Sequence, residues 1–486
     1  RHMRSRTEQI LLCTVYTLTC LEDRAWSFGI SLCMQLLGGM QLVSIEQMME
    51  GLAQMAFSGT VGRAVDRRDE RKFGMVVCLM GNNLSIILST IFFAICLSIP
   101  PSSIYYTISI VIGIIFCSCY RVFVTAEKSM LARDWMMVLL KEDESFVART
   151  IALLTSLDQA TNIVSPLLLG GLLSFVTLRT TCFVLSGCSL ASLVVKSTLL
   201  TTLLSTNDNL SIRRGHEPTT TSDTTSSLFA SVSLYYSQST FTAALAMALL
   251  FMTVLGFDGL AVGYGESIGV PENILGLFRS FSAATGVFGA LAYALFERRI
   301  GVRKTGLLGL TWEWLFLMLA VASIWMPGSP FDPSDYFSTL SLCSWWQSFV
   351  SSFVPDPSAP PPTSPPRDID WKAFTTSDGT SLISIFAFLT SISVARFGLW
   401  MADLAITHIM QVHSQQNQRN TVFGVHNAVC QTFSVLKDLL VIILPSPETF
   451  GICILISYGF TSSALIFYIY SLVKMRQQEG MEWTKL

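Results

Sequence analysis

Residues 10–39 read ILLCTVYTLTCLEDRAWSFGISLCMQLLGG. Such a stretch is long enough to cross a bilayer, which takes about 20 apolar residues, yet Asp23-Arg24 stand in its middle. Charges at that depth of a membrane helix cost roughly 2.5–3.5 kcal/mol each on insertion scales, and they usually face a cavity or a partner rather than lipid. Helical spacing puts Thr19, Cys20, Asp23 and Ser27 on one face. Hydroxyl, thiol and carboxylate together make a half-shell for a small cation. An internal salt bridge between helices reads the same residues equally well. A secretory signal does not fit, because the apolar stretch is too long and lacks a cleavage signature.

Working outward, the chain has 486 residues, 51% hydrophobic and 13% charged, with a mean hydropathy of +0.54. That is too apolar for a soluble protein of this length. About twelve stretches can span a bilayer, at 9–36, 41–62, 73–99, 103–130, 146–174, 178–205, 239–267, 272–297, 304–327, 379–411, 418–444 and 448–474. The expected class is an all-α membrane protein of about twelve transmembrane helices. Lys and Arg cluster after the second, fourth, sixth, eighth and twelfth spans, as in Arg63, Arg67, Arg68, Arg71 and Lys72 after the second. The alternate connections carry almost none, Arg179 excepted. By the positive-inside rule both termini are cytoplasmic. The chain begins at Arg1 without a methionine, so a few residues are expected to precede it.

Two longer connections divide the chain. Residues 206–238 are Ser/Thr-rich and cytoplasmic, and they separate an N-lobe at 1–205 from a C-lobe at 239–486, each of six helices. The loop 329–378 lies outside, is proline-rich at Pro355–Pro366 and is expected to be flexible. Its Trp345-Trp346 suit the membrane interface. Of twelve cysteines, only Cys343 falls clearly in a non-cytoplasmic loop, so no disulfide framework is expected. The two halves echo each other: Gly62, Asp66 and Arg67 with Arg71-Lys72 follow the second span, and Arg298-Arg299, Gly301 and Arg303-Lys304 follow the eighth. This arrangement resembles the major facilitator superfamily, whose lobes rock around a midplane site. Simple topogenic charge is the alternative.

Polar residues inside spans mark candidate sites. Thr155, Asp158, Asn162 and Ser165 form a stripe on the fifth, and Asn82-Asn83 interrupt the third. In the seventh, Gly256, Gly259, Gly263 and Gly265 crowd around Asp258. That density fits close packing or a broken helix facing a cavity, and the acid favours the break. The eleventh carries His426, Cys430, Ser434 and Asp438 at successive i+4 spacing, beside Lys437. Glu46, Met49 and Glu50 form a further group, read as a solvated helix end rather than a vestibule. Carboxylate, amide, thiol and imidazole suit a borderline first-row divalent metal. No nucleotide-binding glycine loop, nucleophile elbow or metalloprotease motif suggests an enzyme.

Specific motifs go further: Glu22-Asp23-Arg24-Ala25-Trp26, Arg133-Asp134-Trp135, Asp158-Gln159-Ala160-Thr161-Asn162-Ile163, Thr253-Val254-Leu255-Gly256-Phe257-Asp258, Met326-Pro327-Gly328-Ser329-Pro330 and Ala395-Arg396-Phe397-Gly398-Leu399-Trp400. With Gly424-Val425-His426-Asn427 and Pro447-Glu448-Thr449-Phe450-Gly451, they are similar to the ferroportins, iron exporters of solute carrier family 40 within the major facilitator superfamily. The resemblance implies export of ferrous iron by alternating access from a monomer in the plasma membrane, with a vacuolar membrane as the alternative. It implies no resident cofactor and no nucleic acid. A carrier of another solute, such as a metal chelate, and a non-transporting sensor are the other readings.

The family's ligands are only partly present. Its N-lobe pairs the first-helix aspartate with a histidine; here these are Asp23 and Ser27. In its C-lobe a cysteine and a histidine ligate; here Gly259 and Lys437 stand there. Vertebrate members bind calcium through the same aspartate, an amide pair matching Asn82-Asn83, and two sixth-helix residues, here Ser189 and Lys196, so calcium regulation is not expected. Nearby Cys20, Asp158 and Asn162 can compensate in the N-lobe, and Asp258, His426 and Cys430 in the C-lobe. A cytoplasmic latch is expected to join Asp66 or Asp134 to basic residues, with Arg67 among the gating residues and Arg419 as the gate arginine. Without a thiol at Gly259, binding of the peptide hormone hepcidin is not expected.

Overall fold

The computed structural model describes residues 2–67, 71–101, 103–139, 144–206, 224–354, 369–376, 379–413 and 419–478; side chains are described except at 2–6, 59, 62–67, 71, 133–134, 137, 144–149, 151–152, 224–229, 419–421 and 478. The first element, α1, runs His2–Arg67 and is broken at Gly38-Gly39 into two arms. Gly39 has φ 68 and ψ −166, a conformation that only glycine adopts without strain. The arms are therefore the first two expected spans. They are followed by α2 (Arg71–Cys96), α3 (Ile104–Ser129), a π-helix (Met130–Trp135), α4 (Met136–Leu139), α5 (Glu144–Leu173) and α6 (Leu178–Thr206).

Within the linker 206–238 lies α7 (Thr224–Ser237), and after it come α8 (Phe241–Leu249), α9 (Gly259–Ser267), α10 (Glu272–Ile300) and α11 (Val302–Ser323). The outer loop contains α12 (Pro333–Thr339), α13 (Leu342–Ser351) and a small antiparallel pair, β1 (Ile369–Asp370) and β2 (Thr375–Thr376), in the register Ile369↔Thr376. The chain closes with α14 (Ile383–His413), α15 (Arg419–Ile443) and α16 (Phe450–Gln478).

Among the described residues, eight helices are long and apolar enough to cross a membrane, the first being Thr7–Ser58, which holds both arms of α1. Three more expected spans fall below that threshold for visible reasons. In α5 and α15 polar residues dilute the apolar run, and the seventh is split into α8 and α9. Among the described residues the chain is all-α apart from the loop hairpin, and its helices account for the twelve expected spans.

Two compact units are formed: Arg1–Pro218 with Val270–Ser280 and Leu340–Arg367, and Thr219–Gly269 with Phe281–Thr339 and Asp368–Leu486. In the first unit Trp135, Tyr120, Tyr106 and Phe28 are fully buried, whereas Ile104, Tyr105 and Ile108 on α3 point outward. Contiguous exposed apolar faces of this kind belong in lipid. In the second unit α11 and α14 pack through glycines: a Cβ on Gly309 would lie 2.7 Å from the Gly398 carbonyl oxygen. Small residues at such crossings let backbones approach within a membrane.

The outer loop differs from its expected flexibility over 333–354. α13 is held by a capping box between Ser341 and Ser344, and Ser352 donates to Gln41 Oε1 at 2.9 Å beside the α1 break. Thr107 donates to the Phe353 carbonyl at 3.0 Å. Side-chain and backbone hydrogen bonds thus hold the end of α13 and the residues after it within the first unit. Pro355–Pro366 lies outside the described residues.

Candidate metal pathway

Asp23 is buried, and its carboxylate is already occupied. Lys128 Nζ lies 2.7 Å from Oδ2, Arg121 Nη1 lies 3.2 Å from Oδ1, and the Tyr120 hydroxyl donates to Oδ1 at 2.8 Å. All three come from α3. Arg121 also holds Glu50 at 2.9 Å and donates to Ser27 Oγ at 3.3 Å. On α5, Asp158 accepts from Arg24 at 3.3 and 3.2 Å through its two oxygens, and Lys128 Nζ lies 3.7 Å from Oδ1. Cys20 is buried on the same arm of α1, within electrostatic reach of Asp158. Three acids and three bases thus make one closed network across α1, α3 and α5.

Of the two readings of Asp23, the geometry shows the inter-helix salt bridge and not an open half-shell. Asp23 and Ser27 do share a face, but that face is filled by Arg121 and Lys128. Thr19 belongs to a different cluster, where it donates to Glu127 Oε1 at 2.5 Å. Arg24 reaches Asp158 rather than its neighbour Asp23. Asn162 is buried one turn along α5, and its amide makes no side-chain hydrogen bond among the described contacts. Glu46 and Glu50 are buried rather than solvated, which overturns the helix-end reading.

The second cluster of this unit surrounds Lys196. Its ammonium is fully buried, 2.8 Å from Glu22 Oε2 and 3.3 Å from Glu127 Oε1. Asn82 donates to Glu127 Oε2 at 2.6 Å, and Ser189 donates to Asn83 Oδ1 at 3.1 Å. Asn82, Asn83, Ser189 and Lys196 therefore do come together, with an ammonium as their cation. A buried charge needs such partners, since isolated burial costs several kcal/mol.

In the second unit, residues 250–258 interrupt the seventh span. Asp258 caps α9, accepting from the backbone N–H of Leu260 at 3.0 Å and of Ala261 at 3.4 Å, the usual way to satisfy the exposed donors of a helix start. Gly259 is the first residue of α9. Lys437 Nζ lies 2.6 Å from Asp258 Oδ2 and 3.4 Å from Asp438 Oδ1. The lysine thus neutralises the acid across the unit. His426 pairs instead with Tyr235, 3.1 Å from its hydroxyl to Nδ1, and with Cys430, 3.6 Å from Sγ to Nε2. Asp258, His426 and Cys430 do not form the single ligand set that was expected. Two turns separate Cys430 from Lys437, about 10 Å along the helix.

Among the described residues, no three of His, Cys, Asp and Glu converge as a preformed metal-ligand group. The gating side chains Asp66, Arg67, Asp134 and Arg419 lie outside the described residues. Asp134 falls within the π-helix Met130–Trp135, an irregularity that often marks functional positions. Reading from the sequence missed Tyr120, Arg121, Glu127 and Lys128. The available signal was the spacing of Arg121 and Lys128, two turns apart on one helix face.

The Ferroportin1 (FPN1) family model matches residues 6–461. Human ferroportin is 26% identical over 530 residues, covering 95% of this chain and 90% of its own length. Solute carrier family 40 member 1 of Danio rerio is 25% identical over 518 residues, covering 95% of this chain and 91% of its own length. A bacterial homologue of the iron transporter ferroportin, solved in an inward-facing state, matches with a TM-score of 0.71 at 16% identity, over 96% of this chain and 98% of that one. That likeness carries the fold, a major facilitator bundle of two six-helix lobes. With buried charges at midspan, a broken seventh helix and a match along nearly its whole length, this multi-pass chain is a membrane transporter rather than an enzyme, and it belongs to the ferroportin family.

Proposed function

We propose that the protein exports ferrous iron, or a related divalent metal, from the cytosol by alternating access. The metal passes as cargo, with no resident cofactor. The observation that carries this reading is the sharing of one cation by two carboxylates from different helices: Lys128 Nζ lies 2.7 Å from Asp23 and 3.7 Å from Asp158. With Cys20 against Asp158, the same place offers oxygen and sulfur donors of the kind a borderline first-row ion takes. Asp258 at the broken seventh helix is the corresponding acid of the second lobe.

The carrier works as a monomer in the plasma membrane, with both termini cytoplasmic, a vacuolar membrane being the alternative address. The domain plan assigns 1–205 to the first lobe, 206–238 to the linker and 239–486 to the second, with 329–378 outside. Hepcidin does not bind, because Gly259 supplies no thiolate. Efflux of ferrous iron and of cobalt(II) from proteoliposomes tests the reading, and absence of both with folded protein would overturn it. The balance of three acids and three bases around Asp23 favours one second reading, a carrier for a metal chelate; efflux of chelated but not of free metal would select it.

A further inference from the structure

We infer that Lys128 in the first lobe and Lys437 in the second are tethered cations: each occupies its lobe's acid while no metal is present and is displaced when metal binds. The inference rests on the metal-export reading and concerns how the acids it names are kept ready and made selective.

Two lobes arrive at the same arrangement with unrelated parts. Lys128 comes from the last turn of α3 and touches Asp23 and Asp158. Lys437 comes from α15 and touches Asp258 and Asp438. In each case the acid has other partners that remain when the lysine leaves. Asp23 keeps Tyr120 and Arg121, and Asp158 keeps Arg24. Asp258 keeps the backbone donors of α9. Withdrawal of the ammonium therefore opens a coordination position without leaving Asp23, Asp158 or Asp258 bare.

The chemistry of the side chain favours this role. A lysine is a point charge on a flexible four-carbon stem, whereas the guanidinium groups of Arg24 and Arg121 are rigid forks, each fixed by more than one bond here. Lys196 differs: it is fully buried between Glu22 and Glu127, whereas Lys128 keeps 19% and Lys437 8% of its side chain exposed. The charges around Asp23 already cancel, so a divalent ion arriving beside an unmoved Lys128 meets uncompensated repulsion in a medium that screens it poorly. Exchange of the ammonium for the metal relieves one unit of that excess. A tethered ammonium also acts at high effective concentration. It competes on equal charge terms with sodium or potassium and is displaced only by an ion of higher charge. The lysines thus set selectivity for divalent over monovalent ions and keep affinity low enough for release.

The test uses full-length protein and cobalt(II) alone as the probe. Lys128→Met and Lys437→Met should each bind cobalt(II) about tenfold tighter by calorimetry, since a repelling charge near the ion is gone. Both should slow cobalt(II) efflux, because release becomes limiting, and both should gain competition by sodium. Lys128→Arg keeps the charge but exchanges the flexible stem for a rigid fork that does not withdraw, so its cobalt(II) affinity should fall rather than rise. Folding is checked by thermal unfolding in detergent, and should Lys128→Met misfold, Lys437→Met, which leaves Asp258 capped, decides alone. Unchanged or weaker cobalt(II) binding in a folded methionine variant, with normal binding and efflux by the unmodified protein, overturns the tethered-cation role while leaving the export reading intact. No cobalt(II) binding and no efflux by the unmodified protein overturns both.

Discussion

The acid of the first lobe and the acid of the second are neutralised to different depths. Asp23 is 5% exposed and sits inside a six-charge network, while Asp258 is 31% exposed and faces a single lysine at the end of a broken helix. In the first case burial makes every partner obligatory. In the second, backbone donors share the task and water reaches the carboxylate. The difference teaches that a transport acid can be held by many fixed charges or by one charge and a helix end, and that the second solution is the cheaper one to disturb.

The largest expected effect breaks the deeper network. Asp23→Ala should abolish metal efflux from proteoliposomes. It should also lower the unfolding midpoint, because Lys128 and Arg121 lose their acid and breaking a buried pair costs about 3–5 kcal/mol. Loss of transport without any loss of stability would mean that the network is looser than its geometry. Asp258→Ala should be milder: an efflux rate reduced about tenfold, and about 1 kcal/mol lost with the helix cap. Equal destabilisation by the two variants would erase the contrast between lobes.

A third change sharpens the comparison by rebuilding one side. Gly259→Cys together with Lys437→His replaces the resident ammonium with thiol and imidazole beside Asp258. Metal binding by calorimetry should strengthen; unchanged affinity would mean that these positions do not meet at the break. The smallest effect is expected at the α1 break. Gly39→Ala meets no neighbour, yet φ 68 is left-handed, so stability should fall by about 1 kcal/mol through the backbone alone. A neutral result in thermal unfolding would show that the break relaxes.

Much of the fold was legible because bilayer length and hydropathy leave few alternatives. The crowding of Gly256, Gly259, Gly263 and Gly265 around Asp258 announced the broken seventh span, which the structure shows between Leu249 and Gly259. The networks were harder to read. Periodicity shows which residues of one helix share a face, not which helix that face will meet. Arg121, Glu127 and Lys128 sat in a stretch read only as a span, so the salt-bridge reading of Asp23 had no named partners beyond its own helix until α3 supplied them. Lys437 was read only as standing in the place of a ligand, and Glu50 as a solvated helix end. Both are partners whose acid or base lies far away in sequence.

Lys196 has a consequence for how the chain is made. A lysine at midspan opposes membrane insertion by roughly 2.5–3.5 kcal/mol unless it meets a counter-charge. Its partners Glu22 and Glu127 lie on α1 and α3, which emerge from the ribosome before α6. Synthesis from the N-terminus therefore delivers the acids first, so that the sixth helix is received by helices already in place. The order of the chain works as an assembly schedule: the acids that neutralise the ammonium of α6 precede it in synthesis.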